Sequence, residues 1–208
     1  MRPGRPASRD RYDRVMARPD FPLRTSRLTL RPYSSDDLDG VLDIQSRPEV
    51  MRYLRSGPRD RDEVREWLHR RIEATATAPD SEGDSVSLAV VLPETGAIIG
   101  NVVLFTRSRE HRQGEVGYVF HPDYGGHGYA TEAAEAMLRL GFEELALHRI
   151  TGRLDARNAA SGRVLERLGM RREARFLQNE IVKGEWADEM VYAMLEDEWR
   201  AWHSAGDR

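Results

Sequence analysis

The sequence predicts an α+β domain, a layered α/β arrangement in which a mixed, mostly antiparallel seven-stranded sheet carries helices on both faces. Three observations lead there. Short β-prone runs outnumber helical stretches along the chain. Two strand pairs are joined by tight turns, Pro93-Glu94-Thr95-Gly96 and Lys183-Gly184, which favour antiparallel neighbours. One strand instead feeds a helix and then another strand, and such a crossover brings in parallel pairing.

The elements follow in order. Residues 1–21 carry Arg2, Arg5, Arg9, Arg11, Arg14 and Arg18 among prolines and few apolar side chains, the composition of a basic flexible arm. Residues 22–208 form one domain. Leu28 and Leu30 alternate with Arg27, Thr29 and Arg31, the period of a half-buried first strand. Ser34 to Asp37 supply cap residues and acids for a helix through Leu38, Val41, Leu42 and Ile44. A second helix spans Asp60 to Ala76, with Val64, Trp67, Leu68 and Ile72 on its apolar face. Asp80 to Asp84 is a polar loop. Ser87–Leu92 and Ala97–Phe105 form a hairpin, and Gln113–Phe120 is the next strand. Ala130, Ala133, Ala134, Met137, Leu138, Gly141 and Phe142 then recur at helical spacing. Arg149–Leu154 is a strand, and Asn158 caps a helix that ends at Gly169. Strands at 171–182 and 186–195 and a short helix with Trp199 and Trp202 close the chain.

Composition narrows the function. The 208 residues hold 32 Lys+Arg against 35 Asp+Glu, a net charge of −3, too balanced for general nucleic-acid binding. With no cysteine, disulfides, thiolate metal sites and a cysteine nucleophile are excluded, and the usage suits a reducing cytoplasm. No run approaches the roughly 18 apolar residues of a membrane span, and the N-terminus lacks the apolar core of a secretory signal. The 6 histidines show no HExxH-type spacing, so no metal is expected.

The turn between Phe120 and the Ala130 helix is the chemically telling stretch. His121 to His127 contains Pro122, Gly125 and Gly126 and leaves backbone N–H groups free at a helix N-terminus, an anion site. Gly125-Gly126-His127-Gly128-Tyr129-Ala130 lacks the lysine and spacing of a P-loop. It also lacks the third glycine and the position in a βαβ unit of a dinucleotide fingerprint. The third loop to compare is that of acyl-CoA binders, which this stretch resembles when it is taken with its neighbours.

These residues together resemble the GNAT superfamily of acyl-CoA N-acyltransferases, and within it the RimJ/RimL-like branch that includes ribosomal-protein-alanine N-acetyltransferases. The likeness covers about residues 22–196. Thr25 to Pro32 resembles the branch's opening strand, and Gly114-Glu115-Val116-Gly117-Tyr118 with His121-Pro122 its central strand. Gly125 to Ala130, followed by Thr131-Glu132-Ala133, is similar to the family loop Q/R-x-x-G-x-G/A. Asn158-Ala159-Ala160-Ser161 and Leu168-Gly169-Met170 resemble its Asn-x-x-Ser helix, and Lys183 to Asp188 its last hairpin. One departure and one difference from the wider superfamily stand out. Gly125 replaces the usual Gln or Arg, and Leu165 occupies the place of the tyrosine acid found in many GNAT enzymes outside this branch.

The resemblance implies an acetyl-CoA-dependent N-acetyltransferase that moves acetyl to a primary amine by direct attack in a ternary complex. The acceptor is a protein N-terminal α-amine or, as the alternative, a small amine such as an antibiotic, polyamine or amino acid. A non-catalytic acyl-CoA-binding regulator is a further alternative. It implies that the Val119 and Phe120 backbone follows pantetheine, and that Gly125, Gly126, His127, Gly128, Tyr129, Ala130 and Thr131 surround the pyrophosphate. Asn158 caps its helix and bonds the pantetheine amide. Glu115 is the candidate base, through water, with His111 and His121 behind it, and Ser161 is the candidate donor to the leaving thiolate. Trp186 and Asp188 are candidates for lining the acceptor pocket. The expected partners are acetyl-CoA and the amine, with no nucleic acid or membrane, in a cytoplasmic monomer or homodimer.

Overall fold

The computed structural model describes residues 19–75 and 83–206. The predicted arm, but for its last three residues, and most of the loop expected at 80–84 lie outside the described residues. The strands are β1 (Leu23–Arg24), β2 (Thr29–Arg31), β3 (Ser85–Val91), β4 (Ile98–Ser108), β5 (Gln113–Phe120), β6 (Arg149–Asp155), β7 (Arg171–Val182) and β8 (Glu185–Leu195). The helices are α1 (Leu38–Gln45), α2 (Pro48–Met51), α3 (Arg61–Thr75), α4 (Tyr129–Arg139), α5 (Ala159–Arg167) and α6 (Glu196–Gly206).

The sheet has 8 strands in the order β1-β2-β3-β4-β5-β6-β8-β7. The expected count of seven is corrected by β1, whose Leu23 and Arg24 pair with Leu30 and Thr29. Two residues are too few to show alternation, so this strand leaves no periodic trace. β5 and β6 run parallel, as the crossover required, and the other neighbours run antiparallel.

Helices cover both faces. On one, α1 and α3 pack Val41, Val64, Trp67 and Leu68 against Ala89 and Val91 of β3. On the other, Ala133, Ala134, Met137 and Leu138 of α4 and Leu165 of α5 meet Leu88, Val90, Leu104, Val116 and Ile150. β3 is buried on both sides, which is why Ser87 to Leu92 is nearly continuous in apolar residues.

Helix ends are set locally. Asp60 Oδ1 accepts from the Asp62 and Glu63 N–H groups at 2.9 Å, and Glu63 returns a carboxylate to the Asp60 N–H at 2.9 Å, a reciprocal cap for α3. Asn158 caps α5 through Ser161 N–H at 3.1 Å. At the other end of α5, Gly169 N–H meets Glu166 O at 3.0 Å and Met170 N–H meets Leu165 O at 3.1 Å. The helical run expected to reach Phe142 changes character at Leu140–Glu144, a single π-helical turn after α4. α6 follows β8 directly, with buried Trp199 stacked on Phe142 at 5.6 Å and donating from Nε1 to Glu143 at 3.0 Å.

Candidate functional site

β5 ends at Phe120 and the chain turns through Pro122–Tyr124 into the glycines before α4. Gly128 occupies the N-cap of α4 at φ 79°, a left-handed conformation that glycine adopts without steric cost. With no side chain at the cap, nothing there competes for the first N–H groups of the helix. Thr131 Oγ1, in this same first turn, is buried without a hydrogen-bond partner among the described residues. Bare N–H groups, a positive helix end and an orphaned hydroxyl together suit an anionic ligand.

The opening strand braces this turn, a link the sequence did not reveal. Arg27 donates from Nη1 to His127 O at 2.9 Å and from Nε to Glu132 Oε2 at 2.7 Å, and its guanidinium lies 4.8 Å from the Tyr129 ring centroid. Glu132 also accepts from Thr25 Oγ1 at 2.6 Å, Ser26 Oγ at 3.0 Å and Arg27 N–H at 2.9 Å. Burial works to raise the Glu132 carboxyl, but the hydrogen bonds from Thr25, Arg27 and Ser26 outweigh it and hold the group below its ordinary 4.5. A depressed carboxyl stabilises the fold fully above that ordinary value and loses the contribution as pH falls through the lowered one. Glu132→Gln is therefore expected to cost about 1 kcal/mol at neutral pH and to raise KM for acetyl-CoA several-fold. Melts of both proteins down a pH series should converge as pH drops below about 4.5; a constant gap would show that the charge of Glu132 is irrelevant.

Gly125 donates its N–H to Pro122 O at 2.9 Å, and a Cβ placed there would lie 3.0 Å from that same carbonyl. The position has a tight-turn reason to lack the side chain usual in the family. Arg27 meanwhile places a cation beside the loop from the bend between β1 and β2.

Beyond the turn, β5 and β6 part. Their pairing covers Gln113↔Arg149, Gly114↔Ile150 and Glu115↔Thr151 and then stops, leaving the edge of Val116–Phe120 without a β6 partner. A cleft of about 370 Å³ opens there, lined by Tyr118, Val119, Phe120, Ala130, Asn158, Ser161 and Val164 and by Glu49, Tyr53 and Leu54 from around α2. Sequence-predicted residues thus meet in one place. Asn158 spends its oxygen on Ser161 N–H, which leaves its amide donors for the cleft. Ser161 Oγ donates to Tyr118 Oη at 3.0 Å, and Tyr118 Oη donates to the Ser161 carbonyl at 2.9 Å. Burial pushes the Tyr118 phenol up to about 12, against the lowering effect of the Ser161 hydrogen bond.

Glu115 lies on the opposite face of β5, in a neighbouring groove of about 720 Å³. Tyr53 and Leu54 line both cavities, so the two meet at the segment after α2. Arg107 grips Glu115 with two hydrogen bonds, Nε to Oε2 at 3.0 Å and Nη2 to Oε1 at 2.9 Å. The other groove carboxylates are paired as well. Glu189 takes Arg153 Nε at 2.9 Å and Asn179 Nδ2 at 2.8 Å, and Glu180 takes Arg55 Nη2 at 2.6 Å. Asp155 accepts from Arg157 Nη2 at 2.7 Å, and hydrogen bonds from Arg149, against burial and with help from Arg171, hold the Glu173 carboxyl at about 2.

The remaining candidates fall elsewhere. His121 is buried, its Nδ1 accepting from Asp123 N–H at 3.2 Å, and neither it nor His111 lines a cavity described here. Trp186 and Asp188 do not line the groove, where Phe176, Glu180 and Glu189 stand instead. Asp188 accepts from Gln178 N–H at 2.9 Å and Arg175 Nη2 at 2.8 Å, bracing an irregular stretch of β7. The turn between β7 and β8 is tied across to α2, because Lys183 Nζ donates to Met51 O at 2.6 Å and Arg52 O at 3.3 Å. Among the described residues no group of His, Asp and Glu side chains could hold a metal ion, and no helix is long and apolar enough to cross a membrane.

Known proteins resemble this chain in sequence and fold. Residues 27–171 match the family model of the acetyltransferase (GNAT) domain. YnaD, an uncharacterized N-acetyltransferase of Bacillus subtilis, is 36% identical over 179 residues, 85% of this chain and 98% of that protein. The crystal structure of a GNAT-family acetyltransferase from Bacillus anthracis superposes with a TM-score of 0.77 at 33% identity, covering 86% of this chain and 100% of that one. Spermidine N-acetyltransferase from Vibrio cholerae, crystallised with CoA and spermine, shares the fold with a TM-score of 0.71 at 22% identity, covering 85% and 99% of the two chains. The bare helix N-terminus, the orphaned Thr131 hydroxyl and the open edge of β5 fit a CoA thioester, and on the sequence match the chain belongs to the GNAT acetyltransferase family, as an N-acetyltransferase that takes acetyl-CoA as co-substrate.

Proposed function

We propose that this enzyme acetylates the N-terminal α-amine of a polypeptide, as a cytoplasmic member of the RimJ/RimL-like branch. The observation that carries the choice of acceptor is the ion pairing of the groove. Glu115, Asp155, Glu173, Glu180 and Glu189 each already hold an arginine. A polyamine brings further ammonium groups besides the reacting one and needs unpaired carboxylates to receive them. A peptide N-terminus brings one amine, and its backbone donors and acceptors suit a groove with a mixed, self-neutralised wall.

Acetyl-CoA supplies the acyl group as an activated thioester. The first turn of α4 receives its pyrophosphate, and the open edge of β5 receives its pantetheine arm and puts backbone donors near the thioester carbonyl, where negative charge develops. Glu115, in the groove that joins the cleft at Tyr53 and Leu54, takes the proton of the attacking amine through water. Arg107 occupies one acceptor site on each of its oxygens, and a carboxylate keeps further lone pairs with which to accept from that water. Ser161 donates a hydrogen bond from its hydroxyl to the departing sulfur, which leaves as a thiolate.

Thiol release from acetyl-CoA, measured over a panel of short peptides, amino acids, aminoglycosides and spermine, tests the acceptor. Peptides are expected to give kcat/KM at least about tenfold above the others, a difference of about 1.4 kcal/mol. A higher kcat/KM for spermine would overturn this acceptor.

A further inference from the structure

The Ser161 hydroxyl is not by itself aimed at the cleft. Its hydrogen is committed to Tyr118 Oη at 3.0 Å, while the Tyr118 hydrogen is committed to the Ser161 carbonyl at 2.9 Å. Both acceptors within reach of the phenol therefore belong to one residue, and both residues line the same cleft. The ring is fixed, because Tyr118 projects from β5 toward the helix face and packs against the main core. Asn158 fixes the other partner by holding the Ser161 N–H. Leu165, where other GNAT enzymes resembling this one outside its branch carry a phenol, is buried and packs over Gly152, so α5 offers no tyrosine there.

We propose that Tyr118 is a positioning residue that acts through Ser161, swinging its O–H from the Ser161 carbonyl to Ser161 Oγ so that the serine hydrogen turns to the departing sulfur. This rests on the reading of Ser161 as the donor to that sulfur. The swing needs no backbone movement, since both acceptors already stand at hydrogen-bond distance. In the turned state each hydroxyl donates to the next atom, Tyr118 to Ser161 and Ser161 to sulfur, and each bond polarises the one after it. No proton leaves the tyrosine. A phenol raised to about 12 keeps its hydrogen at any working pH, and its contribution is a stronger hydrogen bond to the developing thiolate.

Tyr118→Phe keeps the packed ring and deletes the hydroxyl. The variant should lower kcat about tenfold, equivalent to about one pKa unit of thiolate stabilisation, while KM for acetyl-CoA and the melting temperature stay close to wild type. The thiol of bound CoA, followed by its thiolate ultraviolet absorption, should titrate about one unit higher in Tyr118→Phe than in wild type. This second reading needs no turnover. The double variant Tyr118→Phe, Ser161→Ala should be no slower than Ser161→Ala alone, because Tyr118 acts only through the serine. If Ser161→Ala is slow but Tyr118→Phe retains full kcat and an unshifted CoA thiol, the role of Tyr118 is wrong and that of Ser161 stands. If neither single variant is slowed, the Ser161 reading fails and this inference fails with it. Additive losses in the double variant would also overturn it, since they would show the tyrosine acting independently.

Discussion

Glu115→Gln is expected to lower kcat by about a hundredfold or more, close to 3 kcal/mol of transition-state stabilisation. Glutamine keeps the shape and one oxygen but cannot take a proton from water. KM for acetyl-CoA should stay close to wild type, which separates lost basicity from a disturbed groove. A structural effect is expected to be small. Arg107 is about half exposed, its side chain at 47%, and an ion pair at such a surface contributes only about 0–1 kcal/mol to stability. An unchanged kcat would end the assignment and leave Glu115 as a partner for Arg107 alone.

Gly100→Val should be the most damaging single change to the fold at the site. Gly100 of β4 faces Phe120 of β5. A Cβ at Gly100 would stand 2.7 Å from Phe120 Cδ1 and 2.7 Å from the Val119 carbonyl oxygen. A ring can turn aside, but the Val119 oxygen is backbone and moves only with the strand. Overpacking of this kind costs about 3 kcal/mol, and in a chain of this length that corresponds to a fall of roughly 6–12 °C in Tm. The displaced peptide joins Val119 to Phe120, both of which line the cleft, so KM for acetyl-CoA should rise about tenfold, or about 1.4 kcal/mol, in the protein that remains folded. Melting and initial-rate measurements check the two effects. A variant with unchanged Tm and KM would show that β5 yields without cost.

Much of the fold was legible because its signals are local. The cap at Asn158, the turn at Lys183-Gly184 and the apolar stripe of α4 each lie within a few residues of what they determine. The glycine turn was legible for the same reason, since a bare helix N-terminus is a property of a short stretch. Contacts distant in sequence were not. Arg27 braces the turn from a hundred residues away, and Tyr118 meets Ser161 across the gap between strand and helix. Which side chains line the groove was hidden by an irregularity within β7. Its register against β8 shifts between Phe176 and Glu180, with Gln178 at φ 48°, and an irregularity of that kind resets which side chains share a face. Groove lining therefore passes to Phe176, Glu180 and Glu189, while Asp188 spends its carboxylate on the irregular stretch and Trp186 stays exposed at 60%.

Lys183, whose ammonium sits on the Met51 and Arg52 carbonyls, is the sole lysine of the sequence. For an enzyme that acetylates amines this has a chemical consequence. The charged, hydrogen-bonded form has no lone pair to offer a thioester, so the one side-chain amine of the chain is a poor target for the enzyme's own donor. The lysine becomes a competent nucleophile only when its ammonium leaves those carbonyls and gives up a proton. Its uptake of an amine-reactive ester, localised to a single peptide by mass spectrometry, thus reports how often that contact breaks, with no other lysine in the sequence to blur the signal.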